Sequence, residues 1–180
     1  MYRQINRWVH SYDFKYSDFL KPYTEEIIYN FEQNSHNLSK DCVLSLPIVN
    51  QFISDSLNKI VQENYYAGPI LGDFPPNVYV QYPNAPEEEQ SFYHNHTHTI
   101  GNIAGVFYLN LPNEGGEFQV HNPPYVEHHK FKPEIDKVYF FPIWLLHMAC
   151  PHTENIKRIC INWAYAGNVR AVHKLTGNVW

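Results

Sequence analysis

The stretch from residue 92 to residue 120, FYHNHTHTIGNIAGVFYLNLPNEGGEFQV, contains the clearest structural pattern in the sequence. Its apolar run at 103–109 is rich in β-branched and aromatic residues, which favour a strand. The dipeptide Gly115-Gly116 is typical of a turn, and 117–120 then resumes a strand-like pattern. This stretch therefore predicts β-structure in the second half of the chain.

The rest of the chain divides into a helical and a β-rich part. Thr24 can cap a helix whose first turn contains Glu25 and Glu26, and apolar residues recur at helical spacing over 49–61. Further strands are predicted at 78–82, 138–141 and 158–165. Helices followed by many short strands predict a mainly β sandwich or barrel, with N-terminal helices on one outer face. We expect a single domain over 1–180, with a helical region at 1–67 and the β-structure at 68–180.

Composition excludes several classes of protein. The 13 Lys and Arg residues against 18 Asp and Glu residues give a net charge of −5, and no basic run favours nucleic-acid binding. No window approaches the length of a membrane span, and the N-terminus lacks the pattern of a signal peptide. Three cysteines without a CxxC pair indicate free thiols, as in the cytoplasm.

Histidine is over-represented, with 11 residues, and eight of them lie between His94 and His152. If the segment around His94, His96 and His98 is a strand, these side chains share one face. Two such imidazoles can bind one metal ion, with His147, which follows an apolar run, as the leading third ligand. Imidazole ligands suit Fe, Zn, Cu or Ni. A row of surface histidines is the alternative explanation of the same pattern.

The order of motifs resembles that of the iron(II)- and 2-oxoglutarate-dependent oxygenases, especially their prolyl-hydroxylase-like members in bacteria and phages. The resemblance runs from about residue 79 to residue 163. It rests on the following segments, in this order: YHNHTH at 93–98, FYLN at 107–110, GGEF at 115–118, YFFP at 139–142, HMACP at 147–151 and RICINW at 158–163. It implies a double-stranded β-helix, a jelly-roll fold shared with the cupins.

The resemblance also implies a metal site and selects its ligands. His98 precedes Ala104 by six positions, as in the family branch, so the metal ligands become His96, His98 and His147, with His94 as a neighbour. The family usually has a carboxylate where this chain has His98. The implied site is therefore either a three-histidine face or one completed by a carboxylate from elsewhere in the chain.

Two further residues correspond to the cosubstrate site of the family. Arg158 stands where the family holds the distal carboxylate of 2-oxoglutarate, and Tyr108 could donate a hydrogen bond to the same group. The implied activity is hydroxylation of a C–H bond with Fe(II) and 2-oxoglutarate, releasing succinate and CO₂. The HMACP segment favours a peptide or amino-acid substrate, although a small molecule remains open.

Two other classes of function remain possible. A three-histidine cupin-type metalloenzyme would not use 2-oxoglutarate, and its usual glutamate is missing after this HxH. A non-catalytic binding module could retain the fold, but retention of His147 and Arg158 argues for activity.

The remaining aromatic and histidine residues are assigned to the surroundings of the site. Trp144 and Trp163 are expected to help enclose it, and Phe92 and Tyr93 to shape its entrance. The segment at 123–133 is expected to be a long loop. Four histidines are predicted to lie in loops: His121, His128, His129 and His152.

Overall fold

The computed structural model describes residues 2–5, 9–33, 51, 55, 72–73, 77–85, 103–122, 127–142 and 145–166. Its helices are α1 (Ser17–Leu20), a 3-10 turn (Lys21–Tyr23) and α2 (Thr24–Gln33). Gln51 and Asp55 are also helical. The other residues of the second predicted helix lie outside the described part. Within that part, no helix is long and apolar enough to cross a membrane.

The described strands form two antiparallel sheets. The strands are β1 (Tyr2–Gln4), β2 (His10–Asp13), β3 (Gly72–Asp73), β4 (Asn77–Gln81), β5 (Ile103–Asn110), β6 (Phe118–Asn122), β7 (Glu127–Phe131), β8 (Lys137–Pro142), β9 (Leu146–Ala149) and β10 (Arg158–Ala166). The main sheet has the order β1-β2-β8-β5-β10-β3, and β4 also pairs with β10. The small sheet has the order β7-β6-β9.

The hydrophobic core lies between these two sheets. Phe118 and Val120 of the small sheet are buried against Tyr108 and Phe141 of the main sheet. Phe118 contacts Phe141 with ring centroids 5.2 Å apart. Strands β5, β8 and β10 of the main sheet are buried on both faces, because consecutive residues at 104–108, 138–141 and 158–161 are all buried. The five strands predicted from the sequence are confirmed, with their ends shifted by one or two residues.

Five of the ten described strands were not predicted, namely β1, β2, β3, β7 and β9. The first third of the chain is not helical throughout, because β1 and β2 precede α1 and join the main sheet at β8. The segment at 123–133 is not simply a loop, since β7 occupies 127–131. His121, His128 and His129 therefore lie in strands and not in loops, whereas His152 lies between strands as expected. His147 lies in β9, a strand separate from the apolar strand β8 before it.

The prediction that Thr24 caps α2 is wrong in its detail. Helix α2 exists, but the backbone of Thr24 is itself helical, because the chain arrives through the preceding 3-10 turn. A different residue caps the N-terminal helical segment. Asp136, in the turn before β8, accepts hydrogen bonds through Oδ1 from the backbone N–H groups of Tyr16 and Ser17, at 3.0 and 2.8 Å.

A β-bulge interrupts the pairing of β5 with β10. Ile159 pairs with Asn110, but the next residue, Cys160, pairs with Tyr108. Leu109 is therefore the additional residue of the bulge. Cys160 and Tyr108, which form the pair next to the bulge, face the same side of the main sheet, toward the small sheet.

Candidate active site

A pocket that is partly open to solvent lies between the two sheets. Strand β10 contributes alternate residues to it, namely Arg158, Cys160 and Asn162. Because residues two apart in a strand share a face, a single strand places all three side chains there. The other lining residues are Tyr79, Val106, Tyr108, Phe118, Phe141, His147, Met148 and Ala149.

Arg158 is a buried cation in this pocket. Only 2% of its surface is exposed, and its Nη2 donates a hydrogen bond to the Tyr108 hydroxyl oxygen at 3.0 Å. The guanidinium also lies 4.8 Å from the centre of the Tyr108 ring. Within the described part of the chain, no carboxylate pairs with Arg158, and its buried Nε lacks a hydrogen-bond partner. Because a buried charge is costly unless it is paired, Arg158 can bind an anion that enters the pocket.

Tyr108 is arranged as a hydrogen-bond donor toward the same place. Burial raises the pKa of its hydroxyl above the usual value of 10, so the hydroxyl stays protonated at neutral pH. Its oxygen already accepts the hydrogen bond from Arg158, so the hydroxyl proton can be donated to a ligand. Arg158 and Tyr108 together can thus hold a carboxylate.

Cys160 contributes volume but no charge to the pocket. Burial raises the pKa of its thiol, and its Sγ donates a weak hydrogen bond to Asn162 Oδ1 at 3.5 Å. The thiol is therefore neutral at physiological pH. Sequence reasoning missed Cys160 and Asn162, although their positions two and four residues after Arg158 place them on the face of Arg158.

His147 lies in the same pocket, on the small sheet. It pairs with Val120 of β6, and its ring stacks on Phe118 at 5.3 Å and contacts Phe141 at 4.7 Å. Its Nδ1 lies 2.8 Å from the carbonyl oxygen of Leu145. Since a carbonyl only accepts, Nδ1 carries the proton and Nε2 carries the lone pair that can ligate a metal ion. This arrangement is common for histidines that bind metals.

The structure thus places three of the five predicted site residues, His147, Tyr108 and Arg158, around one pocket. The other two, His96 and His98, lie outside the described residues, as does His94. Among the described residues, no group of three or more His, Cys, Asp or Glu side chains could hold a metal ion. Trp144 and the side chain of Trp163 also lie outside the described part, as do Phe92 and Tyr93.

The turn formed by Gly115 and Gly116 packs next to Arg158, which lines the pocket. Gly115 and Gly116 have φ values of +71° and +64°, which are unfavourable for other residues. A Cβ on Gly116 would lie 2.6 Å from Pro112 Cγ and 3.5 Å from Arg158 Cδ. The turn therefore requires glycine, both for its backbone conformation and for its close packing beside the stem of Arg158.

Solved structures that superimpose on this chain include prolyl hydroxylases and a related oxygenase. A viral collagen prolyl hydroxylase from Paramecium bursaria Chlorella virus 1 superimposes with a TM-score of 0.60 at 15% identity, over 88% of each chain. A prolyl hydroxylase from Trichoplax adhaerens, in complex with a hypoxia inducible factor peptide fragment, gives 0.61 at 14% identity, over 89% of this chain and 84% of that chain. This chain has the prolyl hydroxylase fold.

A third structure extends the comparison beyond the prolyl hydroxylases. A 2OG-Fe(II) oxygenase family member from Burkholderia pseudomallei gives a TM-score of 0.52 at 16% identity, over 67% of this chain and 58% of that chain. No family model and no curated protein sequence matches the chain. The comparisons confirm the predicted double-stranded β-helix.

Proposed function

We propose that this protein is an Fe(II)- and 2-oxoglutarate-dependent dioxygenase that hydroxylates a C–H bond and releases succinate and CO₂. The observation that carries the proposal is the pairing of buried Arg158 with the Tyr108 hydroxyl in the pocket that also contains His147. A carboxylate-binding group and a metal-binding imidazole facing one cavity are what a keto acid cosubstrate requires. We further propose that residues 1–180 form one catalytic domain.

In the proposed enzyme, His147 binds iron together with His96 and His98. The donor set fits the metal, because imidazole is a suitable ligand for iron and the Leu145 carbonyl directs Nε2 of His147 to ligation. Bound iron supplies the redox chemistry with oxygen that the side chains cannot supply. A three-histidine site leaves coordination positions open for cosubstrate and oxygen.

The residues of the chain bind and orient the cosubstrate. Arg158 and Tyr108 hold the distal carboxylate of 2-oxoglutarate, which points its keto acid end toward His147. Phe118 and Phe141 pack against the His147 ring and exclude water from that side of the pocket. Orientation and exclusion of water are the contributions that a protein makes to a reaction carried by a cofactor.

For the substrate we propose a peptide or an amino acid, with a small molecule as the alternative. The HMACP segment at 147–151 supports this, as does the prolyl hydroxylase fold, one member of which is solved with a peptide fragment. We also propose a cytoplasmic location, which the buried free thiols of Cys150 and Cys160 support.

An anaerobic titration with Fe(II) and 2-oxoglutarate tests the proposed function. We expect a visible metal-to-ligand charge-transfer band on addition of the keto acid, and succinate formation once oxygen and substrate are supplied. In His147→Ala, both the band and stoichiometric iron binding should be lost. His129→Ala, which changes an exposed histidine, is the matched control and should retain both.

The same titration separates the alternatives. Iron binding without a charge-transfer band would indicate a three-histidine metalloenzyme that does not use 2-oxoglutarate. Absence of iron binding by the wild-type protein would indicate a binding module that has kept only the fold. Full iron content in His147→Ala would contradict the assignment of this ligand.

A further inference from the structure

A second pair of histidines lies in contact on the small sheet. The antiparallel pairing of β6 with β7 places His121 directly opposite His128. Their ring centroids are 4.1 Å apart, and the ring planes meet at 44°. This separation is shorter than the 5.3 Å between the rings of Phe118 and Phe131, which are paired across the same two strands. The two imidazole rings are therefore in direct contact across the strand pair.

The pair lies on the other face of the sheet from His147. His147 is opposite Val120, a fully buried residue of the core, and therefore shares its face. His121 follows Val120 directly, and successive residues in a strand project to opposite faces. The His121–His128 pair is thus separated from the proposed iron site by the thickness of the sheet.

The surroundings of the pair allow an ion to enter and hold one ring in place. His128 is exposed and His121 is partly exposed, so solvent reaches the rings. The side chain of Gln119, which is buried with only 8% of its surface exposed, contacts the His128 ring. Its Nε2 donates a hydrogen bond to Nδ1 of His128 at 3.1 Å, and its Oε1 accepts one from the Cys150 thiol at 3.8 Å. Ligation of a metal through Nε2 of His128 therefore requires the Gln119 amide to turn over, so that its oxygen accepts the proton of Nδ1.

We propose that His121 and His128 form a second metal site that binds a divalent transition-metal ion such as Cu²⁺, Ni²⁺ or Zn²⁺. Neutral imidazole suits these ions, and water completes their coordination. Affinity follows the usual order for nitrogen ligands, with Cu²⁺ binding more tightly than Ni²⁺ or Zn²⁺. The bound ion links β7 to β6. This site does not depend on the proposed oxygenase activity.

Calorimetric titration of the full-length protein with Ni²⁺ tests the second site. In the wild-type protein we expect one Ni²⁺ equivalent at the histidine pair, in addition to any ion bound at His147. His128→Asn and His121→Asn should each weaken this equivalent by at least about tenfold. His129→Asn is the matched control, because it removes the adjacent exposed histidine on the opposite face of β7, and it should leave the equivalent unchanged.

Variants at His147 distinguish Ni²⁺ bound at the histidine pair from an ion bound at His147. His147→Ala should retain the Ni²⁺ equivalent of the pair, and the double variant His147→Ala, His128→Asn should lose it. If wild type and both His121→Asn and His128→Asn bind Ni²⁺ equally, or if His129→Asn loses the ion to the same extent, the second site does not exist. Failure of the proposed iron site would instead leave a single equivalent that still depends on His128.

Discussion

At the scale of single residues, Arg158 combines deep burial with incomplete pairing. Its charge contacts the Tyr108 hydroxyl and ring, but no carboxylate of the described chain. An arginine kept for stability would be expected to form an ion pair, because burial of an unpaired cation is unfavourable. The missing carboxylate partner supports the proposed role of Arg158 in binding an anionic ligand.

Substitution of Arg158 by methionine separates ligand binding from stability. Arg158→Met should weaken 2-oxoglutarate binding roughly 10- to 150-fold, the equivalent of the about 1.5–3 kcal/mol of a hydrogen bond to a charged group. Its free energy of unfolding without ligand should equal or exceed that of the wild type. Isothermal titration and urea denaturation measure the two quantities.

Lys157→Met is the control for this comparison. Lys157 precedes Arg158 but forms an exposed ion pair with Glu32 at 3.0 Å, so its removal should change neither quantity by more than about 0.5 kcal/mol. An Arg158→Met protein that is strongly destabilised yet binds 2-oxoglutarate normally would show that Arg158 is structural.

Some of these residues could be predicted from the sequence and others could not. His147, Tyr108 and Arg158 lie in recognisable motifs, and all three line one pocket. The contact of His121 with His128 depends on the register of β6 against β7, which no local pattern specifies. Cys160 and Asn162 could have been predicted to line the pocket, because they lie two and four residues after Arg158 in the same predicted strand.

At the scale of elements, a turn residue supports a distant helix. Asp136 accepts hydrogen bonds from the N–H groups of Tyr16 and Ser17, and it adopts a φ of +60°. Such a cap satisfies donors that the first turn of a helix leaves without partners. Sequence separation hides this contact, since the partners are about 120 residues apart.

Substitution of Asp136 should weaken the attachment of α1 to the β-structure. Asp136→Ala should lower the free energy of unfolding by about 1–3 kcal/mol, because it removes the oxygen that accepts both hydrogen bonds and places alanine in a left-handed conformation. Asp136→Asn keeps an acceptor oxygen and tolerates the conformation, so it should lose less than half as much. Equal losses in the two variants, measured by urea denaturation, would contradict the capping role.

Strands with a clear hydrophobic pattern were predicted from the sequence, whereas polar strands were not. The strand β5 is apolar along most of its length and was predicted almost residue for residue. In contrast, β7 reads EHHKF and contains four polar residues in five. Among the described strands it lies at the edge of the small sheet, where an exposed strand needs no apolar alternation. Strand β2 reads HSYD and was missed because its buried residues include His10 and Ser11.

At the scale of the whole molecule, buried His10 makes stability depend on pH. Burial lowers the pKa of His10 from 6.5 to about 4. The unfolded chain therefore binds a proton at this site between pH 6.5 and 4, whereas the folded protein does not. The contribution of His10 to the free energy of unfolding is fully present above pH 6.5 and decreases as the pH falls toward 4.

The size of this effect can be measured by denaturation at two pH values. Between pH 7.5 and pH 5.0, His10 should reduce the free energy of unfolding by about 2 kcal/mol. In His10→Gln, the free energy of unfolding should fall between these two pH values by about 2 kcal/mol less than in the wild type, even if the variant is less stable at pH 7.5. His129→Gln, a change of an exposed histidine, should follow the wild type. A wild-type pH dependence in His10→Gln would rule out His10 as its source.

The bulge at Leu109 has a consequence for how this sequence can diverge. Asn110 pairs with Ile159, and Tyr108 pairs with the next residue of β10, Cys160. This pairing of Tyr108 is possible only because Leu109, between Tyr108 and Asn110, has no partner in β10. Substitutions at Leu109 leave that count intact, whereas loss of the residue would turn one side of the bulge to the opposite face of the sheet. Descendants of this chain that keep the pocket should therefore vary in side chain at this position but preserve the number of residues between Tyr108 and the glycine turn.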